Sequence, residues 1–372
     1  MQPSTGRRVS GDIYINGRYA AQPVTGVQRA AHELVRAMDS LPRLLDGTRC
    51  VLLLPPGVDP PPLRHIEVRH VGSTRIPHHL WEQTTLPLAA RAGTLLGLAG
   101  GTPWRARHQA VVLHDAAVFD HPEAYTRPYV WWYRRLSRHL ARHAARIWTV
   151  SEFSRTRLAL HLGLDPRSIG LLPPLGADHI LGVPAEPTVL ARLGLLPGRF
   201  LLAVASENPT KNHAALLQAF AQLPMRGAAQ LVLVGRSNLR VFSSRSAASE
   251  PRGVVRAGPV RDGELRALYE QAAALIVPSL YEGFGLPAAE AMACGCPVAA
   301  ARTASLPEVC GDAAFYFDPR SPHDITAAMQ RMLTDTALHA ALIRASVERA
   351  VHFRWENAAR RLLVDLQAGA AS

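Results

Sequence analysis

The chain has 372 residues, 48% of them hydrophobic and 19% charged. That is ordinary globular composition, with room for two domains of roughly 150–200 residues each. A formal charge of +12 favours polyanions or an anionic membrane surface as partners, yet no nucleic-acid-binding module accompanies it and no run of about 18 apolar residues offers a membrane span.

From the N-terminus, "MQPSTGRRVSGDIYING" has no apolar h-region, so a secretory signal is not expected; its end, "GDIYING", reads as a strand entering a loop. Thr25–Met38, "TGVQRAAHELVRAM", carries Val27, Ala30, Ala31, Leu34 and Val35 at helical spacing behind a Thr-Gly start that suits a cap. "RCVLLLPP" (Arg49–Pro56) and "QAVVLHD" (Gln109–Asp115) are buried-strand candidates, and Tyr129–Ala145 is a basic, aromatic-rich helix. "RIWTVSEFSRTRLALHL" is a strand followed by a Ser-capped helix, and "SIGLLPP" closes the first half. Strands alternating with helices predict a parallel sheet covered on both faces.

The Pro- and Gly-bearing stretch 181–198 reads as an interdomain link with a short helix. The pattern then restarts. "FLLAVAS", "AQLVLVG", "AALIVPS" and "CPVAAA" are strands, "HAALLQAFAQL" and "DGELRALYEQ" are helices, and Asp324–Gln367 is helical. The expected fold is α/β: two Rossmann-like doubly wound domains, 1–180 and 199–350, facing across a ligand-binding cleft, with 351–372 a C-terminal helix packing back on the first.

Two residue types add to this. Cys50, Cys294, Cys296 and Cys310 lack zinc-ligand spacing and are expected to be buried and reduced. Of the 41 basic residues only Lys211 is a lysine, which suggests that a compact ammonium matters at that position.

"YEGFGLPAAEAMACGCPV" (Tyr281–Val298) places Glu282 and Glu290 on either side of a Gly-aromatic-Gly turn and a proline. The loop 278–286 follows a strand at its carboxyl end, where ligands sit in open α/β sheets. Pro287 suits the first turn of a helix and Gly295 its end. The free amides at the helix start make an anion cradle, and Gly283 and Gly285 let the backbone approach a ligand closely. One carboxylate before the cradle and one a turn inside it suit hydroxyl groups flanking an anion, the layout of a nucleotide sugar.

These residues resemble the retaining, GT-B-fold glycosyltransferases related to sucrose synthase, glycogen synthase and bacterial mannosyltransferases (a glycosyltransferase family 4-like pattern with E-x7-E). The likeness runs almost throughout Gly258–Pro319 and extends, more weakly, to "TGVQRAAHELVRAM", "HLWEQTTLPLAAR", "VVLHDAAVFDHPEAY", "VSEFSRTRL", "SENPTKNHAALLQAF" and "LVLVG". It implies that Glu290 holds the donor ribose and Glu282 the donor sugar. The backbone at Gly283, Phe284, Gly285 and Leu286 would bind sugar and distal phosphate, with Lys211 neutralising the diphosphate. Gly26 would approach the phosphates from the first domain, His114 would stand near the transferred sugar, and Arg236 would lie in the loop that holds the base. Two places depart from the family pattern. Ala205-Ser206 and Pro209-Thr210 stand where it presents an arginine beside the lysine, and the first-domain loop shows one glycine, Gly26, where relatives show two.

The resemblance further implies hexose transfer with retention, without cofactor or divalent metal, the leaving phosphate itself taking the acceptor proton. The "ING…TGVQR" opening looks most like mannosyltransferases of bacterial surface-polysaccharide assembly, so GDP-mannose is the first assignment and UDP-glucose or UDP-GlcNAc the alternative. The acceptor would be a glycan or a polyprenyl-diphosphate-linked chain. The basic helix "PYVWWYRRLSRHLARHAAR" suggests a peripheral contact with anionic lipid on the cytoplasmic face of the membrane. A Rossmann dehydrogenase would need G-x-G-x-x-G, which "INGRYAAQPVTG" lacks. A non-catalytic sugar-nucleotide-binding module is the remaining alternative.

Overall fold

The computed structural model describes residues 11–45, 47–204, 208–224, 229–235 and 251–371. The chain divides into two compact units. The first comprises the chain up to Ala116, Trp132–Leu175 and the last helix from Trp355; the second comprises Ala117–Trp131 and Gly176–Arg354.

The first unit is built on a seven-stranded parallel sheet: β1 (Ile13–Asn16), β2 (Cys50–Leu54), β3 (Glu67–His70), β4 (Thr94–Gly97), β5 (Gln109–Val112), β6 (Arg146–Thr149) and β7 (Gly170–Leu171), in the order β3-β2-β1-β4-β5-β6-β7. Its central strands are buried along their length because helices cover both faces, which selects continuous apolar runs such as Cys50–Leu54. On one face Tyr14, Val51, Leu53 and Leu95 pack with Trp81 and Leu86 of the helix His78–Ala89. Trp81 is fully buried and its indole N–H donates to Val71 O at 2.7 Å. Losing such a buried indole costs about 3–5 kcal/mol. Elsewhere in this unit the C-terminal helix Trp355–Ala371 packs along the helix Gly26–Asp39, and its Asp365 Oδ2 accepts from Trp148 Nε1 at 2.9 Å.

The second unit carries a six-stranded parallel sheet: β8 (Phe200–Val204), β9 (Gln230–Val234), β10 (Val254–Gly258), β11 (Ala274–Val277), β12 (Val298–Ala301) and β13 (Ala314–Phe317), in the order β10-β9-β8-β11-β12-β13. The direction of winding therefore reverses between β8 and β11, as it does between β1 and β4 in the first unit. In doubly wound sheets the crevice outside the carboxyl ends at that reversal is where ligands bind.

Four strands, β3, β4, β10 and β13, and the helix His78–Ala89 are not among the elements read from sequence. The stretch 181–198, read as a link, belongs to the second unit. It holds the helix Thr188–Leu193, whose Val189 and Leu190 are buried, and Arg192 pairs with Glu264 at 2.7 Å. The predicted basic helix spans Arg127–His143, and Ser151 caps the next one by accepting from Ser154 N. All four cysteines are free thiols; burial pushes those of Cys50, Cys294 and Cys310 up to about 12. Among the described residues no helix is long and apolar enough to cross a membrane.

Candidate active site

The chemistry-bearing residues of the second unit gather where its winding reverses. β8 and β11 are neighbours with parallel register, so the loops beyond their carboxyl ends emerge side by side. The first loop reaches a single 3-10 turn, Pro209–Lys211, in which Asn208 accepts from Thr210 N. Asn212 closes that turn at φ 59°, a left-handed conformation asparagine tolerates better than most residues. Its Nδ2 donates to Pro278 O at 3.1 Å and Pro319 O at 2.8 Å, while Leu280 N donates to Thr210 O at 2.7 Å. The lysine turn is thereby stitched to the loop after β11.

Across this stitch Lys211 Nζ donates to Glu282 Oε1 at 2.7 Å, and Ser279 Oγ donates to the same oxygen at 2.7 Å. Glu282 is 8% exposed, so an isolated charge there would be costly; the ammonium and the hydroxyl offset that cost. Both donors converge on Oε1, and among the described residues Oε2 has no hydrogen-bond partner.

The loop then turns through Gly285, at φ 100° and ψ 46°, into the helix Leu286–Ala293, with Pro287 in its first turn. A Cβ at Gly285 would meet Leu306 Cδ2 at 2.8 Å, so both backbone conformation and space require glycine. Phe284 and Leu286 turn their side chains into the fold, and only their backbone amides are left for a ligand. Ser305, fully buried, donates toward Glu282 O at 3.0 Å and Phe284 O at 2.9 Å, clamping the loop from below.

Glu290 lies one turn inside this helix. His179 Nε2 is 3.1 Å from Oε1 and Tyr269 OH donates to Oε2 at 2.9 Å. Burial, reinforced by the charge on Glu290, holds the Tyr269 phenol well above its ordinary value, so it remains a donor. The segment Ala117–Trp131 adds one aromatic contact and one hydrogen bond: His121 meets the Tyr281 ring edge-on at 5.3 Å between centroids, and Asn208 Nδ2 donates to Tyr125 OH at 3.4 Å.

The structure thus brings together Lys211, Glu282, Gly283, Phe284, Gly285, Leu286 and Glu290. Arg236 lies outside the described residues. Gly26 and His114 belong to the first unit. Gly26 opens the helix Gly26–Asp39; beyond its chain neighbours and its own helix backbone, none of the described residues comes within 4 Å of where its Cβ would stand. His114 follows the carboxyl end of β5; its Nε2–H donates to Leu98 O at 2.8 Å, and burial lowers its pKa, so the ring is neutral. At the reversal of the first sheet a separate buried group forms: Asn16 Nδ2 donates to Glu82 Oε1 at 2.8 Å and Arg18 pairs with Glu82 Oε2. Among the described residues no three His, Cys, Asp or Glu side chains cluster to hold a metal.

Sequence reading missed Ser279, Ser305, Asn212, His179, Tyr269, Asn16, Arg18 and Glu82. Ser279, Ser305 and Tyr269 sit inside the region of strongest family likeness, Asn212 and Glu82 inside quoted motifs and Asn16 in the "ING" opening, so a signal existed for these six. His179 and Arg18 contribute through tertiary contacts with no local pattern.

A family model described as "Glycosyl transferases group 1" matches residues 195–349. The O-antigen chain mannosyltransferase B of Escherichia coli is 32% identical over 262 residues, which is 68% of this chain and 69% of that protein. The serotype-specific mannosyltransferase WbdA of Escherichia coli is 34% identical over 171 residues, 44% of this chain and only 21% of WbdA. Among solved structures, sucrose-phosphate synthase from Thermosynechococcus elongatus aligns with a TM-score of 0.71 at 21% identity, over 97% of this chain and 100% of that one. The Anabaena protein HepE, solved in complex with UDP-glucose, aligns with a TM-score of 0.69 at 16% identity, over 96% and 99%. These two likenesses speak for the fold, and the sequence relatives for the family: the chain belongs to the group 1 glycosyltransferases of GT-B architecture, among proteins related to bacterial mannosyltransferases.

Proposed function

We propose that this glycosyltransferase moves a hexose with retention of anomeric configuration onto a glycan or polyprenyl-diphosphate-linked acceptor, in the assembly of a bacterial surface polysaccharide. The observation that carries this is the Lys211–Glu282 pair at the reversal point of its sheet, a few residues ahead of the amide-bearing start of the helix Leu286–Ala293. Mannose from GDP-mannose is the first assignment, supported by relatives named as mannosyltransferases in Escherichia coli and Mycolicibacterium hassiacum.

In this mechanism Lys211 and the amides of Phe284, Gly285 and Leu286 receive the donor's diphosphate. The second carboxylate oxygen of Glu282 accepts from a sugar hydroxyl, and Glu290 accepts from the ribose. The family resemblance assigns Gly26 to the phosphates, Arg236 to the base and His114, a neutral ring, to the transferred sugar. As the bond from the anomeric carbon to the phosphate oxygen breaks, negative charge grows on the diphosphate, and the ammonium and the helix start stabilise it. The acceptor oxygen bonds to the anomeric carbon on the same face, and its proton passes to the departing phosphate. With the protein supplying the positive charge, no divalent metal or cofactor takes part.

The test is nucleoside diphosphate release by the purified chain from GDP-mannose, UDP-glucose, UDP-GlcNAc and an ADP sugar, with and without EDTA, and anomeric assignment of the product by NMR. Release from GDP-mannose, unaffected by EDTA and with the α-anomer kept, is expected; release from a UDP sugar alone selects the alternative donor. Binding without release means a non-catalytic module, and neither binding nor release refutes the proposal.

The same proposal sets the chain peripherally on the inner membrane face through the basic helix Arg127–His143, whose Trp131 is 59% exposed. Co-sedimentation with phosphatidylglycerol vesicles, abolished by high salt, is the expected result; equal recovery with neutral vesicles would remove the membrane from the proposal.

A further inference from the structure

Glu290 is an unusual ligand-binding residue in being nearly closed off, with 7% of its side chain exposed, and in having both carboxylate oxygens already engaged. Its two partners come from other helices. His179 lies in Asp178–Leu181, and Tyr269 in Asp262–Gln271; both helices pack on Leu286–Ala293. Tyr269 is fully buried and the His179 side chain is 5% exposed, so neither donor is free to swing away. A carboxylate offers about four lone-pair sites. The phenol O–H occupies one on Oε2, the His179 ring nitrogen stands 3.1 Å from Oε1, and a lone pair remains on each oxygen. That remainder matches the two adjacent hydroxyls of a ribose. A glutamate held in this way is ordered before its ligand arrives, and none of the binding free energy goes into freezing its rotamers.

We propose that His179 and Tyr269 are positioning residues for Glu290, presetting its carboxylate to accept both ribose hydroxyls of the donor nucleotide. The inference rests on the assignment of Glu290 to the ribose. It makes ribose recognition a property of three helices rather than of one glutamate, and it gives the site a means of discrimination: a 2′-deoxy ligand leaves a rigidly held lone pair facing no donor. A purely structural tie between the three helices would use the same contacts but have a different consequence. It would alter unfolding and leave discrimination between ribose and deoxyribose untouched.

The experiment is calorimetric titration of the full chain with GDP, 2′-deoxy-GDP, UDP and 2′-deoxy-UDP, in wild type and in Tyr269→Phe, His179→Ala, His179→Gln and Glu290→Gln. Wild type is expected to prefer the ribose form of its cognate base by about tenfold, the size of one hydrogen bond to a charged group. Tyr269→Phe and His179→Ala should weaken binding of the ribose form alone and bring the ratio near unity, while His179→Gln, which keeps an N–H donor, restores it. Tyr269→Phe preserves shape and carries the test even where a His179 variant fails to fold. A wild-type ratio retained in Tyr269→Phe and His179→Ala, whatever their unfolding temperatures, overturns the inference. A ratio of unity already in wild type, or a full ratio in Glu290→Gln, overturns instead the assignment of Glu290 to the ribose, and the inference falls with it.

Discussion

Lys211 is the single ammonium in a chain with 40 arginines, and the geometry gives a reason for the exception. A guanidinium would spread its donors over a planar fork, whereas the ammonium places one hydrogen on Glu282 and has two more to give. Removing it leaves Glu282, 8% exposed, with only the Ser279 hydroxyl among the described residues. Lys211→Ala is therefore expected to raise the barrier to donor cleavage by at least about 2–3 kcal/mol, roughly a 30- to 150-fold fall in kcat. Lys211→Arg should restore charge without geometry and recover only part of the loss. Turnover of the alanine variant within twofold of wild type would take Lys211 out of the mechanism. His114 reads differently at the same scale. Its Nε2–H is committed to Leu98 O and its ring is neutral, so it can offer only the unprotonated Nδ1, a polar contact rather than a cation.

The helix Leu286–Ala293 shows how two glycines at helix starts can have opposite reasons. At Gly285 the chain itself demands glycine: φ is 100°, and a Cβ would press on Leu306, which is fully buried. Gly285→Ala is expected to lower stability by at least about 1–2 kcal/mol from backbone strain alone, read by chemical denaturation. At Gly26 the described residues demand nothing, since beyond its chain neighbours and its own helix backbone none of their atoms lies within 4 Å of the absent Cβ. Gly26→Ala should leave stability unchanged or slightly raised, by up to about 1 kcal/mol, and yet raise KM for the donor if the phosphates approach there. An unchanged KM would leave that glycine without a role. The contrast also explains what was legible in sequence. Gly285, Pro287 and Gly295 encode the loop–helix element through local backbone preferences, so this loop could be read directly. β3, β10 and β13 escaped because they are edge strands. One side of an edge strand is solvated, so it needs no continuous apolar run; Glu67–His70 has no fully buried residue. β4 is interior but only four residues long, and glycines at 93 and 97 disguise it as a turn. Of the partners of Glu290, Tyr269 lay within the region of strongest family likeness but His179 had no local mark; only the packing of three helices brings the two to one carboxylate.

Across the whole molecule, charge makes acid the condition to which the chain is most exposed. It already carries +12 near neutrality, and protonating any of its 16 histidines adds to that excess. Four histidines of the first unit have pKa values below the ordinary one, chiefly through burial: His32, at about 4, with Arg36 and Arg29 adding to the effect, and His79, His114 and His139. In the unfolded chain these rings take up protons near pH 6.5, whereas in the folded chain they resist. Between those values the unfolded state binds more protons, so stability rises with pH. The contribution is complete above about pH 6.5 and is lost as pH falls toward about 4. For His32 alone, half-buried against the edge of Tyr19 at 4.7 Å, solvent screening reduces the effect to about 1–2 kcal/mol. Denaturant midpoints measured from pH 7.5 down to 5 should therefore fall, with most of the loss below about pH 6.5. His32→Gln, which carries no titrating proton, should flatten that slope while leaving the pH 7.5 midpoint little changed. A slope in the glutamine variant identical to wild type would show that His32 is not a source of the acid sensitivity, whatever the other three contribute.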